Sequence, residues 1–233
     1  MCGRYALDQN ARELANHFHL ITPPEIVPRY NIAPGTSVLV IRQTAEGRHG
    51  EFMRWGLEPA WMRRSGAGKP GAPRPINARA ETLAERPMFR HAFQARRCIL
   101  PACGFYEWHR PAGASPQPYY IRPANDAVFA FAGLYEPGDD RHPPTCCIIT
   151  TAANERMAGI HDRMPVILDA SAVGTWLDPG TPAPALTALL VPSPAEEMLA
   201  RAVSSRVNQA RHDDASLVDP LAAPLPDRTQ ELP

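Results

Sequence analysis

Arg97-Cys98-Ile99-Leu100-Pro101-Ala102-Cys103-Gly104-Phe105-Tyr106-Glu107-Trp108 is the stretch on which the fold turns. Its two apolar runs, Arg97 to Leu100 and Phe105 to Trp108, are separated by Pro101 and Gly104, so each is too short for a helix and reads as a strand. Strand alternation in the second run puts Phe105 and Glu107 on one face and Tyr106 on the other. A carboxylate on an apolar face needs a partner or an elevated pKa, and either condition suits proton transfer. A glutamate buried against an arginine for structural reasons fits the same pattern, so this strand leaves both readings open.

Further strands read outward from this pair. Ser37 to Arg42, Glu51 to Trp55, Pro118 to Arg122, Val128 to Tyr135, Thr145 to Thr150 and Pro165 to Leu168 are apolar or alternating runs bounded by Gly, Pro and Asp. Ala11, Leu14, Ala15 and Phe18 keep helical spacing after Asp8, a good N-cap, which predicts a helix over residues 8 to 20. Other helices are expected near Pro87 to Gln94, Ala170 to Leu177 and Pro194 to Ala202, and the Pro-rich Thr22 to Pro34 reads as loop. The fold class is therefore α+β: one β-rich domain over residues 1–221, with a barrel-like antiparallel sheet core flanked by helices, and a C-terminal tail from Ala222 to Pro233.

The chain has 233 residues with 24 basic and 24 acidic side chains, so its net charge carries no general signal for polyanions. Locally the balance differs. From Arg54 to Arg110 basic residues outnumber Glu58, Glu81, Glu85 and Glu107, as a phosphate-tracking groove or a solvated face would require. The five cysteines form no CxxC pair, which argues against a disulfide framework and a zinc site; no metal or other cofactor is expected. No apolar run approaches the ~18 residues of a membrane span, so the expectation is a soluble cytoplasmic protein, monomeric, with no membrane partner.

Position singles out Cys2. A small residue after Met1 is the context in which the initiator methionine is trimmed, leaving an α-amine beside a thiol. That amine, with a reference pKa near ~8, is partly neutral at cellular pH and can attack an aldehyde, after which the thiol can close a five-membered thiazolidine. On its own a cysteine at this position is weak evidence, and chance or simple burial is the commoner explanation. Gly3 and Arg4 follow, with a guanidinium placed to meet a phosphate or a surface carboxylate. Asn77, Arg79 and Glu81 form a second polar cluster, readable as a substrate-orienting set or as a capped helix start. His161-Asp162-Arg163 sets an imidazole between a carboxylate and a guanidinium, where His161 could donate a proton. Trp55, Trp61 and Trp108 offer faces for unpaired bases, although core packing is the ordinary fate of at least two.

Taken together, these residues make the chain resemble the SOS response-associated peptidase family, the abasic-site processing SRAP-domain proteins. The resemblance runs through Met1 to Arg4, Tyr30 to Pro34, Arg54 to Leu57 with Pro59 and Trp61, Asn77 to Thr82, Arg97-Cys98 to Glu107-Trp108, Ala132 to Glu136, Ile148 to Thr150, Ile160 to Leu168, and Val203-Ser204 with Val207-Asn208. It implies a DNA-damage-response enzyme that binds single-stranded DNA, including junctions with duplex, and crosslinks an abasic site through Cys2. It further implies Asn77, Glu107 and His161 as catalytic residues and Arg4, Arg79 and Arg163 as DNA contacts, with Trp61 as a stacking platform. Lyase-like imine chemistry, a nucleoid-associated location and a peptidase activity confined to autocatalytic removal of Met1 follow from the same likeness. Cys103 and the Arg63 to Pro75 loop depart from the family pattern. Two other classes stay open: an N-terminal-nucleophile peptidase or amidohydrolase, and a non-catalytic DNA-binding module.

Overall fold

The computed structural model describes residues 2–64, 74–125 and 127–221; most of the Arg63 to Pro75 loop and the Ala222 to Pro233 tail lie outside them. The first half runs β1 (Tyr5–Leu7), α1 (Ala11–Phe18), β2 (Arg29–Ile32), β3 (Ser37–Gln43), β4 (Arg48–Trp55), α2 (Ala60–Arg64), β5 (Asn77–Arg79), α3 (Arg90–Ala95), β6 (Arg97–Ala102) and β7 (Gly104–His109). The second runs β8 (Gln117–Pro123), β9 (Phe129–Glu136), β10 (Thr145–Ala152), α4 (Glu155–Ala158), β11 (Arg163–Pro165), β12 (Ile167–Leu168), α5 (Ala170–Leu177), α6 (Ala183–Ala188) and β13 (Met198–Ala202).

The sheet path β10-β4-β3-β6-β9 returns to β10, because β9 also pairs with β10, and so closes a five-stranded ring. Closure removes the exposed edges that open sheets must protect. The fold is α+β and β-rich, as expected, but the ring is not wholly antiparallel: β4 and β5 both run parallel to β10. Each edge of β10 carries two partners in succession, β4 then β5 on one side and β9 then β11 on the other. The C-terminal end of β10 thus gathers β5 and β11, which are distant in sequence.

A second, antiparallel sheet has the order β13-β8-β7-β1-β2. Tyr5 of β1 meets Trp55 at 5.4 Å and Phe131 at 6.1 Å between ring centroids, and Phe105 meets Phe131 at 5.9 Å. Both sheets therefore bury their facing residues in one apolar cluster. Alternation along β7 holds: Phe105 faces that cluster while Tyr106 joins a smaller one with Ala6, Tyr120, Val203 and Val207. Gly104 is demanded by this packing, since a Cβ there would lie 2.4 Å from the Tyr120 ring and 2.6 Å from the Ile121 carbonyl.

Three local expectations change. Pro194 to Ala202, helical in composition, is a 3-10 turn at Ala195–Glu197 followed by β13, because Met198 to Ala202 pair in register with Pro123 to Tyr119 of β8. The Pro-rich Thr22 to Pro34 contains β2, recruited by β1. Helix α1 begins at Asn10, whose side chain accepts the Arg12 amide at 2.8 Å, rather than at Asp8. No described helix is long and apolar enough to cross a membrane.

Candidate active site

Cys2 enters the fold just before β1, the strand held between β2 and β7, and its side chain is fully buried. The pairs Tyr5 with Phe105 and Ala6 with Gly104, and the 2.9 Å bond from the Tyr106 amide to the Arg4 carbonyl, set the register of β1 on β7. Continued by two residues, that register brings Gly3 opposite Glu107. Glu107 is itself only 2% exposed. Burial pushes the Cys2 thiol well above its ordinary pKa, and the Glu107 charge pushes it further; the positive chain terminus and the Arg4 backbone act in the opposite sense. The sulfur is therefore a neutral thiol at cellular pH.

Asn77 reaches the same place from β5. Its Nδ2 donates to the Cys2 carbonyl at 2.9 Å, while its buried Oδ1 accepts no hydrogen bond from the described residues. A buried amide oxygen without a donor is costly, so this atom is an open acceptor beside the residue that Asn77 already holds. Cys2, Asn77 and Glu107 thus converge.

The remaining residues ring the end of β10. Parallel pairing sets Arg79 beside Thr150, and antiparallel pairing sets Pro165 on the other side of the same residue. Both terminal nitrogens of Arg163 on β11 are engaged: Nη1 and Nη2 grip the two oxygens of Glu81 at 2.5 and 3.0 Å, and Nη2 also donates to the Thr150 carbonyl at 2.6 Å. The Arg163 fork holds the Glu81 carboxyl below its ordinary pKa, so the pair is ionised. The Arg79 side chain is exposed and donates no hydrogen bond to the described residues. His161 precedes β11 with two contacts on Nδ1, the Arg163 amide at 3.0 Å and the Asp162 carboxylate at 2.8 Å. These exclude one another. The amide needs a bare Nδ1, which puts the proton of the neutral ring on Nε2, whereas the carboxylate needs Nδ1 protonated.

The other arginine and tryptophan candidates sit differently. Arg4 turns into the fold, donating at 2.8 Å to both the Asn31 side chain and the Val207 carbonyl, so it pins the C-terminal segment to the start of the chain. Trp61 is 44% exposed on α2, in a cleft with Pro59, Pro87, Met88 and Arg90, separate from the Cys2 cluster. Trp55 is buried with its Nε1 on the Ile76 carbonyl, and Trp108 donates to the Asn208 side chain. Among the described residues no group of three or more His, Cys, Asp or Glu side chains could hold a metal ion.

Residues 1–210 match the family described as SOS response associated peptidase (SRAP). The chain belongs to the SRAP family. It is 41% identical over 226 residues to abasic site processing protein YoaM of Bacillus subtilis, covering 94% of this chain and 98% of that one. Against abasic site processing protein YedK of Escherichia coli it is 31% identical over 233 residues, covering 95% and 100%. A crystal structure of a Bacteroides thetaiotaomicron protein superimposes with a TM-score of 0.83 at 26% identity, covering 95% of this chain and all of that one.

In this SRAP chain three contacts escape a reading of residue types. Glu81 closes on Arg163, Thr150 supplies the inner acceptors for the same guanidinium, and Asn31, 1% exposed, takes Arg4. Only register exposes the first two, because β5 and β11 meet solely through β10. Asn31 lies within the Tyr30 to Pro34 motif, and a buried asparagine in a Pro-rich stretch was its available signal.

Proposed function

We propose that the protein processes abasic sites in single-stranded DNA by capturing the sugar aldehyde covalently on Cys2 after Met1 has been removed. The observation that carries this reading is the grip of Asn77 on Cys2: one amide atom holds the carbonyl and the other is a buried acceptor awaiting a donor. The printed names of the relatives, abasic site processing proteins, support the substrate class.

The amine carries the first step, because an imine is the electrophile to which a neutral thiol can then add. The α-amine attacks first, adding to the aldehyde and losing water to give an imine. The Cys2 sulfur then bonds to the imine carbon and its proton passes to nitrogen, closing a thiazolidine without any leaving group. Glu107 takes the proton from the α-ammonium, and His161 Nε2–H protonates the ring oxygen as the cyclic sugar opens to its aldehyde. Ring closure protects the strand, since the imine is also the intermediate from which β-elimination would cut the backbone. Arg79 and Arg163 face the flanking phosphates, Arg4 braces the strand that presents Cys2, and the exposed Trp61 stacks a base, at a junction with duplex where one is present. The peptidase activity in the family description is, on this reading, self-removal of Met1 by a monomer whose catalytic domain spans residues 1–221.

Intact mass spectrometry under denaturing conditions, with single-stranded DNA carrying one abasic site, tests the proposal. A one-to-one adduct lacking Met1 and absent from Cys2→Ala is expected. A trimmed, folded protein that forms no adduct but turns over peptides would replace the reading with an N-terminal-nucleophile hydrolase.

A further inference from the structure

We infer that Glu81 occupies, in the DNA-free protein, the seat a backbone phosphate takes at Arg163, and so limits how tightly intact single strands are held. The inference rests on the DNA-binding reading above and concerns a residue to which that reading gives no role.

The Arg163 guanidinium has two differently occupied sides. Its inner side is committed to the fold through the Thr150 carbonyl and hydroxyl, at 2.6 and 3.4 Å. Its outer side forms a two-pronged contact with both Glu81 oxygens, the geometry in which a guanidinium also receives a phosphate. Exposure separates the partners: the Arg163 side chain is 13% exposed, whereas that of Glu81 is 52% exposed and stands between guanidinium and solvent. Glu81 also sits on the 3-10 turn Ala80–Thr82 that immediately follows Arg79, whose charge acts on it as well. The Glu81 carboxylate thus covers the outer side of Arg163 and feels the charge of Arg79, where a phosphate bound to Arg163 would place its own oxygens. Two anions do not share that seat, so strand binding swings Glu81 outward, which its exposure and short 3-10 support allow.

The consequence is discrimination. Intact single strand must displace Glu81 with reversible contacts alone, while an abasic strand gains a covalent bond once seated. The test is a double-mutant cycle read by fluorescence anisotropy on a fluorescein-labelled, undamaged oligothymidine at low salt, using wild type, Glu81→Gln, Arg163→Gln and the double variant. Glu81→Gln should tighten binding about tenfold when Arg163 is present and about twofold or less when it is glutamine, the remainder being the general effect of losing a negative charge. Glu81→Ala, run in parallel with melting curves for every variant, should give the same sign and covers the case of a misfolded Gln variant. Equal gains in both backgrounds would overturn the inference in favour of long-range charge alone, and weakened binding would mean that Glu81 props Arg163 for DNA instead. An abasic strand in the same series keeps the two readings apart: an intact cycle without adduct sinks the capture chemistry alone, and an adduct with a flat cycle sinks this inference alone.

Discussion

Asn77→Ala removes the bond from Nδ2 to the Cys2 carbonyl, 2.9 Å long, and the buried Oδ1 facing it. A hydrogen bond of this kind contributes about 1 kcal/mol, and leaving its buried acceptor unpaired raises the cost to about 1–3 kcal/mol. The loss falls on placement of Cys2, the nucleophile on the proposed reading, rather than on the barrel core, because β5 stays attached through its backbone pairing to β10. With a factor of ten for each 1.4 kcal/mol in the barrier, single-turnover adduct formation should slow about tenfold to a hundredfold. The assay is quenched-flow crosslinking to an abasic single strand at saturating protein, resolved by denaturing gel, with anisotropy on undamaged DNA run alongside. DNA affinity should barely move. An unchanged crosslinking rate would refute the claim that Asn77 holds Cys2 for attack; an equal loss in DNA affinity would mean that its role is binding.

Arg97, 5% exposed, donates to the carbonyls of Trp176, Phe93, Gln94 and Asp178 and so ties the ends of α3 and α5 to β6; Arg97→Met should cost about 3–5 kcal/mol and lower the melting temperature by about 10 °C in calorimetry. The hydrogen bond from Arg74 holds the buried Glu58 carboxyl below its ordinary pKa, so its stabilisation is complete above pH 4.5 and is lost as pH falls through the depressed value; Glu58→Gln should flatten that acid limb in pH-dependent melts. Trp61→Ala should leave the melting temperature within experimental scatter yet weaken anisotropy-measured binding to single strands about tenfold, because an exposed ring contributes to stacking rather than to the core. Cys98, Cys146 and Cys147 are fully buried with raised thiol pKa values, and Cys103 is pushed up to about 12, so iodoacetamide at neutral pH should modify Cys103 slowly and the other three only on unfolding, as peptide mapping would record.

Most of the barrel is legible in the sequence because its strands carry uninterrupted apolar or alternating runs between Gly and Pro. Val128 to Tyr135 and Thr145 to Thr150 emerge as β9 and β10 nearly at their true ends. Segments whose partners are remote resist such reading. Asn77–Arg79 is three residues long and becomes a strand only because β10, some seventy residues later, supplies its hydrogen bonds. Met198–Ala202 has helical composition that pairing with β8 overrides. The candidate site divides the same way. Residue type and position pick out Cys2, Glu107 and Asn77, but that Arg4 braces the fold and that Glu81 closes on Arg163 depends on register, which local spacing does not encode.

The insertion of β1 between β2 and β7 imposes an order in time. During synthesis β2 emerges soon after β1, whereas β7 ends at His109; at cellular translation speeds that separation is on the order of ten seconds. Until then the nascent terminus has only one flank, and the cluster of Cys2, Asn77 and Glu107 is incomplete. Once β7 docks, Glu107 and the barrel close over Cys2 together, so strand order alone delays completion of this cluster until the strands on both flanks of β1 have been made.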